Sequence, residues 1–120
     1  SMFLGPGGSY RLTPLYDVLT AQPSLDARQV QRKQMKLSMS VGTNRHYRID
    51  EIQRRHFVQT ALAAGLSRSA IAMVLEEVVD TAPKALETVE NALPNDFPTA
   101  VSVSVSRGVK QRLDVLVAAP

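Results

Sequence analysis

Cysteine is absent from the sequence, which excludes disulfides and thiolate metal sites. Only two histidines are present, His46 and His56. They stand ten residues apart, and a metal site needs several convergent ligands at suitable spacing. No apolar run approaches the roughly 18 residues that span a bilayer. No charged-then-apolar signal segment opens the sequence. Together with the missing cysteine, this predicts a cytoplasmic protein without a membrane partner. Charge of one sign is also scarce: the net charge is +3. Nucleic-acid binding usually rests on a concentrated basic face, which overall charge does not establish. No internal repeat or low-complexity tract interrupts the 120 residues.

What is there is globular in composition. Hydrophobic residues make up 44% and charged residues 21%, which fits one domain or a piece of a larger one. Met2–Leu4 and Ser9–Leu12 flank Gly5-Pro6-Gly7-Gly8, a pattern that predicts a β-hairpin with a four-residue connection. Thr13-Pro14 stops the second strand, because proline lacks the N–H a ladder needs. Leu15–Ala21 is expected to form a short helical turn closed by Pro23, followed by a polar surface loop to Gln34. Met35, Leu37, Met39 and Val41 alternate with Lys36, Ser38 and Ser40, so a half-buried strand is expected there. Gly42-Thr43-Asn44 is its turn, and Arg45–Ile49 the returning strand.

Three helices are expected after that. The first opens at Asp50 as a cap, with Gln53 in capping-box position, and ends at Gly65. Ser67 caps the second. Its apolar stripe runs through Ile71, Val74, Leu75, Val78, Val79 and Ala82, then Ala85, Leu86, Val89 and Leu93. Pro83 interrupts that stripe at about 3 kcal/mol. Each large side chain buried returns about 1.5–3 kcal/mol, so one long helix kinked near Pro83 is preferred over two. Pro94 ends it. Val101–Val105 alternates like a strand, but Val101, Val105, Val109 and Leu113 step by four after Pro98, and a helix is expected. The predicted class is α+β, mostly α, with short hairpins at the N-terminal end. A hairpin beginning at residue 2 has few partners of its own, as in a piece of a larger fold.

Chemistry-bearing residues are few. Asp17 is the single carboxylate in the apolar run Leu15-Tyr16-Asp17-Val18-Leu19. Spacing alone makes it a cap or turn residue, and burying it unpaired would be expensive. His46 and His56 read as a turn or strand histidine and a helix-flank histidine. Arg45, Arg48, Arg54 and Arg55 form the densest basic cluster. It reads as a solvated face partly neutralised by Asp50 and Glu51 rather than as a phosphate or DNA footprint. Gly5-Pro6-Gly7-Gly8 lacks the Lys and Ser/Thr of a P-loop, and no GxGxxG follows. Ser102, Ser104 and Ser106 are expected on the solvent face.

Gly7-Gly8-Ser9-Tyr10-Arg11-Leu12-Thr13-Pro14-Leu15-Tyr16-Asp17 resembles the segment that follows the catalytic loop in the HipA family of bacterial Ser/Thr kinase toxins. The resemblance continues through Lys36-Leu37-Ser38-Met39, Arg55-His56-Phe57, the helix containing Pro83, and Leu93-Pro94-Asn95-Asp96-Phe97-Pro98. It implies the helical C-terminal lobe of a kinase-like fold, spanning residues 1–120. It also implies transfer of the ATP γ-phosphate to Ser or Thr of a protein target. A helix-turn-helix DNA-binding antitoxin restrains such kinases, and DNA is reached through it. By motif position Asp17 would bind Mg2+ against ATP, with Tyr16 as its structural neighbour. The family's nucleotide lobe and catalytic loop lie upstream of this motif. No catalytic residue is therefore assigned here, and this chain alone is expected to be inactive and to hold no cofactor. The alternative expectation is a helical interaction module that docks an antitoxin or DNA.

Overall fold

A Gly/Pro turn and two short apolar flanks produce the first element. β1 (Met2–Leu4) pairs antiparallel with β2 (Tyr10–Leu12), Phe3 opposite Arg11. The connection runs Gly5–Ser9, with a 3-10 turn at Pro6–Gly8, so Ser9 belongs to the turn and not to the strand. Its N–H and hydroxyl both donate back to the Pro6 carbonyl. The computed structural model describes residues 2–16 and 18–118.

α1 (Gln22–Asp26) follows, then a 3-10 turn at Arg32–Gln34. The expected helical turn over Leu15–Ala21 is corrected here: the described residues of that stretch are irregular, and Pro23 opens a helix instead of closing one. Proline's fixed φ and missing N–H suit the first helical turn, where that donor has no intrahelical partner. β3 (Lys36–Val41) and β4 (His46–Arg48) make a second antiparallel pair, Val41 opposite His46.

α2 (Arg54–Ala63) begins four residues later than Asp50, which corrects the expected cap. Arg48 holds both Asp50 oxygens, its Nε at 3.1 Å and an Nη at 2.7 Å. A two-pronged guanidinium contact is stronger than a neutral N–H cap. Gln53 takes the cap position instead. At the other end, the Gly65 N–H donates to Leu62 and the Leu66 N–H to Ala61, closing the helix where glycine predicted. Ser67 Oγ accepts the Ala70 N–H at 3.1 Å and caps α3 (Arg68–Ala92), which runs unbroken through Pro83. α4 (Thr99–Val117) is helical over the whole alternating Val/Ser stretch.

The core lies where α2, α3 and α4 meet. Ile52, Ile71 and Leu75 are the buried hydrophobic residues among those described. α1 packs on α4, and Gly108 permits it: a Cβ there would lie 2.7 Å from the Gln22 side chain. Ser104 and Ser106 are buried, against expectation. Ser104 donates to Asp26 of α1 and Ser106 to Glu90 of α3. A buried hydroxyl needs a partner, and both serines face carboxylates brought by neighbouring helices. Ser102, by contrast, bonds only its own helix, at the Thr99 carbonyl. The fold is α+β and mostly α, as the periodicity predicted.

Much surface stays uncovered. Accessible area is 9373 Å², against roughly 6,400 Å² for a folded monomer of 13.1 kDa. The radius of gyration is 16.8 Å, against about 14 Å for a compact domain of this length. Every residue from Met2 to Leu12 is exposed, and Leu15 and Leu19 are 90% and 89% exposed. The α3 stripe is only half covered, with Val74, Val78 and Val89 open to solvent.

Candidate functional site

The turn between β3 and β4 is docked on α2 by main-chain donors. Gly42 N–H reaches Thr60 Oγ1 at 2.7 Å, and Thr43 N–H reaches Gln59 Oε1 at 3.0 Å. Gly42 has φ +78°, and a Cβ there would sit 2.9 Å from Gln59 Oε1 and 3.1 Å from His56 Cβ. Both facts demand glycine. This docking brings His46 and His56 face to face, ring centroids 3.8 Å apart and 9° from parallel. Spacing gave no hint of the pairing, because it depends on the hairpin folding onto the helix.

His56 is 3% exposed, and its Nδ1 accepts the Gln53 N–H at 3.2 Å. That bond places the proton of the neutral ring on Nε2. Burial first, then the charges of His46 and Arg55, pull its pKa below the usual imidazole value. His46 Nδ1 lies 3.9 Å from Glu51 Oε2. The pair joins strand to helix and acts as a polar seam; among the described residues no cluster of His, Asp and Glu could hold a metal ion.

The arginine cluster divides by role. Arg48 is neutralised by Asp50 and by Glu51, the latter at 3.1 Å. Arg45 sits in the turn with φ +56°. Arg54 donates to the Leu116 carbonyl at 2.8 Å and ties α2 to the end of α4. Arg112 of α4 donates to the Ile49 carbonyl. It is the functional-looking arginine that the sequence reading missed, because it lies far along the chain from the others. A second seam, Gln22–Asp26–Ser104, continues to Arg107.

A family model, the HipA-like C-terminal domain, matches residues 1–86. The chain belongs to the HipA-like C-terminal domain family. In this HipA-like domain the match covers both hairpins, α2 and most of α3. It stops before Leu93–Pro98 and α4.

Asp17, the metal ligand that the motif implies, lies outside the described residues. Its neighbours do not. Tyr16 is 66% and Val18 77% exposed, so this part of the HipA-like motif runs along the surface. Mg2+ usually keeps waters and substrate phosphates and takes one or two carboxylates. A single aspartate would fit only part of such a donor set. No helix among the described residues is long and apolar enough to cross a membrane.

Proposed function

We propose that this chain is the C-terminal part of a HipA-like protein kinase, which transfers the ATP γ-phosphate to Ser or Thr of a protein within a toxin–antitoxin system. The observation that carries the reading is the family match over a segment containing the Tyr16-Asp17 motif. The surplus surface agrees with it. An excess of roughly 3,000 Å² over a compact monomer, with Met2, Phe3, Leu4, Leu12, Leu15 and Leu19 among the exposed apolar side chains, is what a lobe exposes when its partner lobe is removed.

In this reading Asp17 holds Mg2+ against the triphosphate, and the ion neutralises charge on the transferring phosphoryl group. The domain's own contribution is the α2–α3–α4 core, with Ile71 and Leu75 buried in it. The chain by itself is inactive. The His-x-Lys-Asn run that the family resemblance implies for a catalytic loop is absent from this sequence, and positioning a phosphoryl group needs a base, a phosphate-binding cation and a metal site together. The kinase acts in the cytoplasm, bound to its helix-turn-helix antitoxin, and meets DNA only through it. Direct DNA docking by this domain is the weaker reading, since Arg48 is already neutralised and Arg54 engages a helix end.

Two measurements test this. In the intact kinase, Asp17→Asn abolishes autophosphorylation; retained activity removes the metal assignment. Titrating Mg-ATP into the 120-residue chain gives no micromolar binding isotherm; a micromolar affinity contradicts the inactive-part reading.

A further inference from the structure

α1, β3, α2 and α4 enclose an apolar cleft of about 440 Å³, within the size range of small-molecule sites. Its walls are aliphatic, with Leu25, Leu37, Ile52, Val105, Val109 and Leu113 prominent. A second, smaller pocket of about 250 Å³ adjoins it and includes Arg54, Arg55 and Arg112. Ile52, Arg112 and Val115 line both, so the two are compartments of one depression. Arg32 lines the apolar compartment as well.

The charges are unbalanced. Among the described residues, Arg32, Arg54, Arg55 and Arg112 have no carboxylate within ion-pairing distance. Asp50, the acidic residue of the smaller pocket, has both oxygens on Arg48. Arg112 is partly buried, and that burial together with the Arg32 charge lowers its pKa, opposed in smaller part by the Asp50 carboxylate. A desolvated cation facing a second cation favours an incoming anion.

We infer that this two-compartment depression binds a single amphipathic anion, a medium- or long-chain acyl carboxylate, with the chain in the aliphatic cleft and the carboxylate on Arg112. Guanidinium groups suit this because they meet a carboxylate through two parallel N–H donors. The mainly apolar lining suits an alkyl chain, with Thr20, Gln22 and Gln111 as its few neutral polar side chains.

The test is calorimetric titration of the 120-residue chain with dodecanoate, dodecanol and ATP below micelle-forming concentrations, with folding checked by circular dichroism. Dodecanoate binds one per chain and about tenfold or more tighter than dodecanol. Arg112→Gln and the exposed Arg32→Gln each reduce that preference to about threefold or less. Val109→Phe, which fills the cleft, weakens both ligands by about tenfold or more, whereas Lys110→Gln on the outer face of α4 changes neither. Equal affinity for acid and alcohol, ATP binding as tight as dodecanoate, or several molecules bound per chain would overturn the inference. So would dodecanoate affinity unchanged in a folded Val109→Phe variant, or a cleft closed by dimerisation of the chain in sedimentation.

Discussion

The N-terminal hairpin and residues 52–117 are both marked by local sequence signals, yet they end in opposite states. The first hairpin forms where expected, though with a five-residue connection in place of four, but every residue from Met2 to Leu12 is exposed, and Leu15, Val18 and Leu19 remain largely in water. The helical part buries Ile52, Ile71 and Leu75 and locks α4 to α1 and α3 through Ser104 and Ser106. Local chemistry decides which element forms; covering it requires a surface to pack against. The helical part carries that surface within itself, and the N-terminal band does not.

The sharpest way to break this comparison is a pair of truncations. Leu75→Ala lowers unfolding free energy by about 2–5 kcal/mol in a urea melt. Leu15→Ala stays within about 0.5 kcal/mol. A large loss from Leu15→Ala would mean the N-terminal band is already part of the core. Next, Ser104→Ala and Ser106→Ala each remove a buried bond between helices and lower stability by about 1 kcal/mol. Ser102→Ala, with a bond inside its own helix, stays within about 0.5 kcal/mol of the parent.

Acid sharpens the contrast differently. The His56 pKa is depressed below 6.5, so the folded state favours the neutral ring. Its contribution is intact above pH 6.5 and is lost as pH falls through the folded pKa. The carboxyls of Asp26, held low chiefly by Ser104, and Asp50, held low chiefly by Arg48, add a second loss below their usual 3.8. The urea midpoint therefore declines from pH 7 to pH 5, and His56→Gln flattens that first decline. An unchanged slope would remove the histidine seam from the account. The smallest effect expected is from Leu15→Ser combined with Leu19→Ser. Light scattering shows less self-association, with no shift in the urea midpoint.

Much of this architecture was legible because its signals are local. Gly65 and Ser67 mark one helix boundary, and the apolar period carries α3 through Pro83. The spacing of Val101, Val105, Val109 and Leu113 outweighs the alternation that mimics a strand. What was not legible depends on tertiary partners. Asp50 is a plausible cap until Arg48 takes both its oxygens. Pro23 is as compatible with opening a helix as with ending a turn. Ser104 finds its carboxylate 78 residues away, and no periodicity distinguishes it from Ser102. The stacking of His46 on His56 and the approach of Arg112 to Ile49 likewise appear only when hairpin and helices meet. The family motif was readable as a string, whereas the spacing around Asp17 carries no signal of its own for the metal-binding role proposed for it.

The central claim is the proposal that the exposed apolar side chains of Met2, Phe3, Leu4, Leu12, Leu15 and Leu19 are covered in a larger protein. Amide hydrogen exchange, measured under identical conditions on this chain and on the longer protein proposed to contain it, tests it most directly. The account predicts fast exchange for the amides of residues 10–20 in the isolated chain and slowing by about a hundredfold or more in the intact protein, with α3 changing far less. Equal exchange of that band in both proteins would contradict it.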